Sequence, residues 1–280
     1  MESIQLAVMA SHDDKGINTT LLAKNLSEIN GLTDTSNQEI TEDTAITLPQ
    51  SVKLNNTKYD IKKDGTVIIN NSILPKEYQQ VEYIESTGTQ YIDTKIYGIT
   101  ESDEIELIAS YEENNEGTAS MFGWDDGINY FDINLYHTAR ANHAEIAWGR
   151  NYKNTSNVLE KGIPHTICIK LDDEDLVLQI DSVEIGKVQK CNSNLNQSHG
   201  LFARFRNNEP RLYACSKVYK LMYWRQGVLF KYLIPCYSTT TVTDVDGIQK
   251  PKNTIGMYDT VEGKFYVNQG SGTFEKGNDV

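Results

Sequence analysis

Two β-rich, aromatic-rich stretches, 74–94 (LPKEYQQVEYIESTGTQYIDT) and 253–277 (NTIGMYDTVEGKFYVNQGSGTFEKG), bracket a long series of short alternating runs. Ends of this kind around many short strands are what a two-sheet sandwich produces when its first and last strands lie side by side. Gly88 in the first stretch and Gly270-Ser271-Gly272 in the second supply residues for tight turns at a sandwich rim.

The runs between them read as strands. Ile105, Leu107 and Ala109 alternate with Glu104 and Glu106, the pattern of an antiparallel strand with one wet side. Residues 165–171 and 176–180 repeat the alternation around Asp172-Asp173-Glu174-Asp175, which predicts a hairpin. Residues 213–224 form a long apolar, aromatic run, predicted as a central strand buried on both faces, and Gln226-Gly227 turns it into 228–234. The fold class expected is mainly β: an antiparallel two-sheet jelly-roll sandwich.

The bracketing stretches resemble those of phage and prophage virion proteins of low-GC Gram-positive bacteria. In that family a proline-led segment of the form LPxxYxxxEYIESTGTQYIDT opens a laminin G-like, concanavalin A-like β-sandwich. Met121-Phe122-Gly123, the run His199-Gly200-Leu201-Phe202-Ala203-Arg204 and the hairpin-like 211–237, closing on Ile234-Pro235-Cys236, match further pieces in the expected order. The resemblance covers roughly 74–277. Trp124 and Asp125 depart from it, since the family more often has alanine and arginine after phenylalanine-glycine.

Upstream of the sandwich the character changes twice. Residues 1–45 are acidic, rich in Thr, Asn and Ser, and hold no aromatic residue, so they cannot form a core alone. Within them Leu22, Leu26 and Ile29 recur at helical spacing between Gly16 and Gly31, which predicts a short helix with one apolar stripe. A helix this short is marginal without a partner, and the stripe is read as an element for attachment to other virion proteins or for trimerisation, the alternative being an amphipathic helix folded back on its own domain. Residues 46–73 contain short β runs separated by Asn55-Asn56 and by Lys63-Asp64-Gly65, an Asp-Gly hairpin signal. The expected organisation is therefore an anchoring arm (1–45), a small β collar (46–73) and a sandwich (74–280).

A formal net charge of −13 argues against nucleic-acid backbones and anionic membrane surfaces as partners. No run approaches the roughly 20 apolar residues of a membrane helix. The first residues carry a short apolar patch, no basic leader and an early aspartate pair, which predicts synthesis and assembly in the cytoplasm. Cys168, Cys191, Cys215 and Cys236 show no metal-ligand spacing, and free thiols are expected of those in strand-like runs. No cofactor is expected.

Chemistry is sparse. Related glucanases set their carboxylates on one strand as Glu-x-Asp-x-x-Glu; the nearest run, Asp103-Glu104-Ile105-Glu106, lacks the leading glutamate, and alternation puts Asp103 and Glu106 on opposite faces. Five single histidines and the absence of Gly-x-Ser-x-Gly give no nucleophilic triad. Asp172–Asp175 and Asp244-Val245-Asp246-Gly247 lack the ligand spacing of a calcium loop. Sugar rings stack on aromatic faces while planar amides, acids and guanidinium groups take the hydroxyls. The loop-like stretch 122–130 and the segment 147–152 carry that mixture, so Trp124, Asp125, Tyr130, Trp148 and Arg150 are the candidate glycan-binding residues; the alternative is that both tryptophans pack in the core or on a sheet face, and if the sandwich binds a saccharide Trp124, Tyr130, Trp148 and Arg150 should converge.

The resemblance implies a non-enzymatic structural protein on the surface of a phage particle, a trimeric fibre or appendage, tail first. Its sandwich would face outward toward a host cell-surface glycan. A head fibre or capsid decoration protein is the alternative within that class, and an envelope glycan-degrading enzyme is the alternative outside it.

Overall fold

The computed structural model describes residues 12–13, 16–17, 51–54, 57–61, 67–70, 74–98, 102–112, 118–126, 130–137, 144–155, 159–172, 175–189, 197–207 and 209–280. The chain divides into two compact units, Met1–Ile73 and Leu74–Val280. In the first, β1 (His12–Asp13) pairs with β2 (Gly16–Ile17). A separate antiparallel sheet joins β3 (Ser51–Leu54), β4 (Thr57–Ile61) and β5 (Val67–Asn70) in that order. The runs predicted on either side of Asn55-Asn56 and of 63–65 are thus hydrogen-bonded neighbours. The helix predicted to carry Leu22, Leu26 and Ile29 lies outside the described residues.

The second unit is a sandwich of two sheets, all β among the described residues. Its strands are β6 (Tyr78–Gln80), β7 (Ile84–Thr87), β8 (Ile92–Tyr97), β9 (Glu104–Tyr111), β10 (Thr118–Asp125), β11 (Tyr130–His137), β12 (Ala144–Gly149) and β13 (Asn151–Thr155), followed by β14 (His165–Asp172), β15 (Asp175–Ile180) and β16 (Val183–Gln189). Then come β17 (Ser198–Leu201), β18 (Arg204–Arg206), β19 (Glu209–Arg211), β20 (Cys215–Arg225), β21 (Val228–Ser238), β22 (Val242–Thr243), β23 (Gln249–Lys250), β24 (Ile255–Asp259), β25 (Lys264–Val267) and β26 (Glu275–Lys276). The smaller sheet runs β13-β12-β11-β10-β17-β8, with β18 beside β10 and β19 beside β18. The larger runs β16-β15-β14-β9-β20-β21-β24-β25 and gathers β6, β7 and β26. Pairing is antiparallel except between β10 and β18.

The opening and closing stretches meet as expected of a sandwich. β26 pairs with β7, placing Glu275 opposite Glu85, and Val81 bridges Asp279. At the rim Ser271 N donates to Thr89 O (3.2 Å), and a Cβ on Gly270 would stand 2.1 Å from that carbonyl, so the close approach at this point requires a residue without a side chain. Gln226 and Gly227 both have positive φ (53° and 73°), the backbone of a tight hairpin turn whose twist matches its strands.

Alternation decides what is inside. From the larger sheet Ile105, Leu107, Val218, Leu221, Tyr223 and Leu233 meet Met121, Phe122, Phe131, Ile133, Ile146 and Leu201 of the smaller in one apolar core. Its burial supplies most of the drive to fold. The run 213–224 needs a correction: β20 is central, between β9 and β21, but it is not buried on both faces. Its residues largely alternate between buried and half-buried, as in an antiparallel strand with one face on the core. On the outer face of β9, Glu104 pairs with Lys170 (2.8 Å) and Glu106 with Lys220 (2.6 Å), while Asp103 is buried and accepts the Tyr223 hydroxyl. The opposite placing of Asp103 and Glu106 is as alternation predicts. Cys168, Cys215 and Cys236 are free thiols, and burial pushes all three up from the usual thiol range.

Candidate functional site

Of the stretch 122–130, expected to be loop-like, residues 122–125 and Tyr130 lie in strands. β10 and β11 form a hairpin in the middle of the smaller sheet, with Trp124 opposite Phe131 and Asp125 opposite Tyr130. Phe131 in turn faces Trp148 on β12. Trp124 and Trp148 therefore do converge, on either side of Phe131, but on the inner face: they are 1% and 4% exposed and belong to the core. The sugar-stacking role expected of the two tryptophans is corrected. A ring sealed between two sheets offers no face to a ligand, and the apolar transfer that seals it is large for an indole. Arg150 is exposed in the turn between β12 and β13.

Asp125 and Tyr130 lie on the other face, and what they join there was not legible as a motif. The parallel ladder sets Gly123, Trp124 and Asp125 opposite Arg204, Phe205 and Arg206. A period of two along each strand then puts Asp125, Arg204 and Arg206 on one side with Asp132 and Tyr130. Arg204 Nε stands 2.8 Å from Asp125 Oδ2, and its Nη1 donates to Asp132 Oδ2 at 2.9 Å. Arg206 Nε donates to Asp125 Oδ1, and the Ser120 hydroxyl donates to Asp132 Oδ1. The Arg204 guanidinium also lies 5.5 Å from the centroid of the Tyr130 ring. Beside them Asn134 donates to Glu145 Oε1 (2.9 Å), and exposed Tyr152 pairs with Ala147, itself opposite Asp132.

Burial orders the cluster. Asp125 and Asp132 are 1% and 0% exposed, although they sit on the sheet face turned away from the core, because the arginines cover them. Asp125 is therefore not the open hydroxyl acceptor expected of it; both its oxygens contact arginine. Burial pushes the Asp132 carboxyl up to about 6, against the pull of Arg204 and Ser120. Burial also raises the Tyr130 phenol, with Glu145 adding to it. The arginine side chains keep part of their surface in solvent, with exposures of 16% for Arg204 and 34% for Arg206. The result is a floor of fixed N–H donors, with aromatic edges from Tyr130 and Tyr152.

Close approach of β10 and β11 requires Gly123, where a Cβ would stand 2.3 Å from Phe131 O and 2.9 Å from Asp132 Oδ1. No group of three or more His, Cys, Asp or Glu placed to hold a metal ion occurs among the described residues. Asp244 instead closes its own turn, accepting from Asp246 N and Ile248 N.

No family description matches the chain, and no curated protein matches it by sequence. Among solved structures it is similar to the CBM40 of a Ruminococcus gnavus IT-sialidase bound to α2,3-sialyllactose, with TM-score 0.39 and 11% identity, covering 54% of this chain and 91% of that one. It is also similar to the carbohydrate-binding module CBM66 from Bacillus subtilis, with TM-score 0.37 and 8% identity over 53% of this chain and 96% of that one. Sheep galectin-11 in complex with glycerol gives TM-score 0.30 and 7% identity, over 46% and 93%.

Proposed function

We propose that this chain is a non-enzymatic structural protein of a phage particle whose sandwich binds a carbohydrate on the host surface. The binding part of the reading rests on one observation: the outer face of the smaller sheet holds Arg204 and Arg206 on buried aspartates, beside Tyr130 and Tyr152. Charges that deep are costly unless paired, and pairing here fixes two planar donors in a surface with aromatic edges. Saccharides need that combination, N–H donors for ring hydroxyls and aromatic faces for C–H. Each contact is weak, so useful affinity comes from several copies displayed together, which gain roughly 100-fold or more by effective concentration.

The virion part rests on the opening and closing stretches, which resemble those of phage virion proteins, with the apolar stripe of Leu22, Leu26 and Ile29 as the attachment element. A homotrimeric fibre or appendage, on the tail by first choice, follows from the same resemblance. The non-catalytic reading is supported by Glu104 and Glu106, each tied to a lysine on the sheet face turned away from the core.

A glycan array probed with the full-length protein tests the binding. Retention of a defined set of glycans by the wild type, and its loss in Arg206→Ala, is the expected result; equal retention by both proteins places the site elsewhere. Deleting residues 1–45 should leave a folded protein that no longer enters particles, and normal incorporation would remove the arm's role.

A further inference from the structure

The larger sheet holds a second buried charge cluster that this function does not use. Lys231 on β21 is 1% exposed and Asp259, at the end of β24, is fully buried. The Lys231 Nζ lies 3.3 Å from Asp259 Oδ2 and 2.7 Å from Oε2 of Glu262, in the turn from β24 to β25. Nζ donates to the Tyr266 hydroxyl, which donates to Glu262 Oε2 at 3.2 Å. The rings of Phe230 and Tyr266 flank the amine, with centroids 5.7 and 4.9 Å from Nζ.

The two oxygens of Asp259 are treated differently. Oδ1 accepts from two backbone N–H groups, Tyr232 N (3.1 Å) and Val261 N (3.0 Å). Oδ2 has no hydrogen-bond partner and faces the amine. An ion pair alone does not require this. Glu262 is the closer counter-ion, so a second, fully buried carboxylate leaves one ammonium shared between two negative charges away from water. Condensation of lysine with aspartate removes one charge of each sign and leaves only Glu262, whose side chain is 39% exposed.

We propose that Lys231 and Asp259 are joined by an isopeptide bond that forms within the folded sandwich. One ammonium proton passes through Glu262 to Asp259 Oδ2, leaving an amine beside a carboxylic acid. The Nζ lone pair attacks Cγ, and the charge that develops on Oδ1 is held by the Tyr232 and Val261 N–H groups, as oxyanion donors hold it in acyl transfer. A second proton travels from Nζ through Glu262 to Oδ2, the Cγ–Oδ2 bond breaks and water leaves. Two protons leave nitrogen and two reach oxygen, no electron is gained or lost, and one positive and one negative charge disappear. Fixed proximity supplies the driving force; effective molarities on the order of 10⁵ M or more are attained when reacting groups are held this close. The bond would tie β21 to β24 covalently, across the segment that carries β22 and β23.

Intact-mass spectrometry of the full-length protein, denatured and reduced, tests this. The wild type should be lighter than its sequence by one water, and a tryptic digest should yield a branched peptide in which uncleaved Lys231 is joined to the peptide of Asp259. Lys231→Met and Glu262→Gln should both return to the full sequence mass. A wild type at full mass overturns the proposal, as does a water loss that persists in Lys231→Met, which would locate the dehydration elsewhere. Should Lys231→Met fail to fold, the digest of the wild type decides: a free Lys231-terminated peptide and no branched species reject the bond.

Discussion

The two faces of the smaller sheet use neighbouring residues for opposite ends. On the inner face Trp124, Phe131 and Trp148 are sealed against the larger sheet. One residue along, Asp125 and its opposite Tyr130 join Asp132, Arg204 and Arg206 on the outer face. The inner face is stabilised by removal of apolar area, which tolerates no vacancy. The outer face is an ion cluster whose acids are lost from solvent and whose arginines are not. Depth alone does not separate the faces, since Asp132 is as buried as Phe131; what separates them is whether the covering group is apolar or a charged side chain.

The largest effect should come from the inner face. Trp124→Ala removes a fully buried indole, and denaturant unfolding should show a loss of about 3–5 kcal/mol. A melting temperature close to wild type would mean that the indole is not in the core and would return it to the list of ligand contacts. Next comes Asp132→Ala, which takes one of the two carboxylates from Arg204 and the acceptor from the buried Ser120 hydroxyl, and should cost about 1–3 kcal/mol in the same assay. A cost near zero would show that the cluster is solvated and that the contrast between the faces is overstated.

The pH dependence of the cluster sharpens the comparison further. Asp132 is raised to about 6 from 3.8, so between those values the folded protein keeps a proton that the unfolded chain has released. Stability contributed by this group must therefore rise as pH falls through 6, and level off below about 4. His199 acts in the opposite sense: burial lowers it to about 4 from 6.5, so its contribution is lost as pH falls through that window. Subtracting the profile of Asp132→Asn cancels the histidine. The difference should show the wild type gaining stability, relative to the variant, from pH 6 toward pH 4, and a flat difference would mean that Asp132 titrates as an ordinary surface acid.

Smaller still is Arg206→Ala. Asp125 keeps Arg204, so the expected stability loss is about 1 kcal/mol, while glycan retention should disappear. A variant that is stable and still retains glycan would leave the outer face as architecture alone. The least effect belongs to the larger sheet's outer face, where Glu106→Gln breaks a partly exposed pair with Lys220 and should change stability by about 1 kcal/mol or less. Envelope polysaccharide turnover that is lost in this variant would overturn the non-enzymatic reading.

The sandwich was legible because its causes are local. Period-two alternation marks β9, β14 and β15, turn residues mark the hairpin at Gln226-Gly227, and the glycines of the two bracketing stretches foretold a rim where Gly270 meets Thr89. Alternation also separated Asp103 from Glu106 without a structure. The site was only half legible. Sequence composition brought Trp124, Asp125, Tyr130 and Trp148 together, but a strand sends adjacent side chains to opposite faces, so Trp124 and Asp125 could never serve one ligand. Reading parity through 122–125 as strand instead of loop would have exposed this. Arg204 and Arg206 are another matter. They stand some eighty positions from Asp125, and only the parallel pairing of β18 with β10 puts them over its carboxylate. The same holds for Lys231 and Asp259, which alternation assigns to two strands but which only the registry of β21 with β24 and the turn holding Glu262 bring within reach. A chain determines its strands through nearest neighbours; which strands become neighbours is settled by how the two sheets bury their inner faces together, and the charged clusters on this protein exist only after that choice is made.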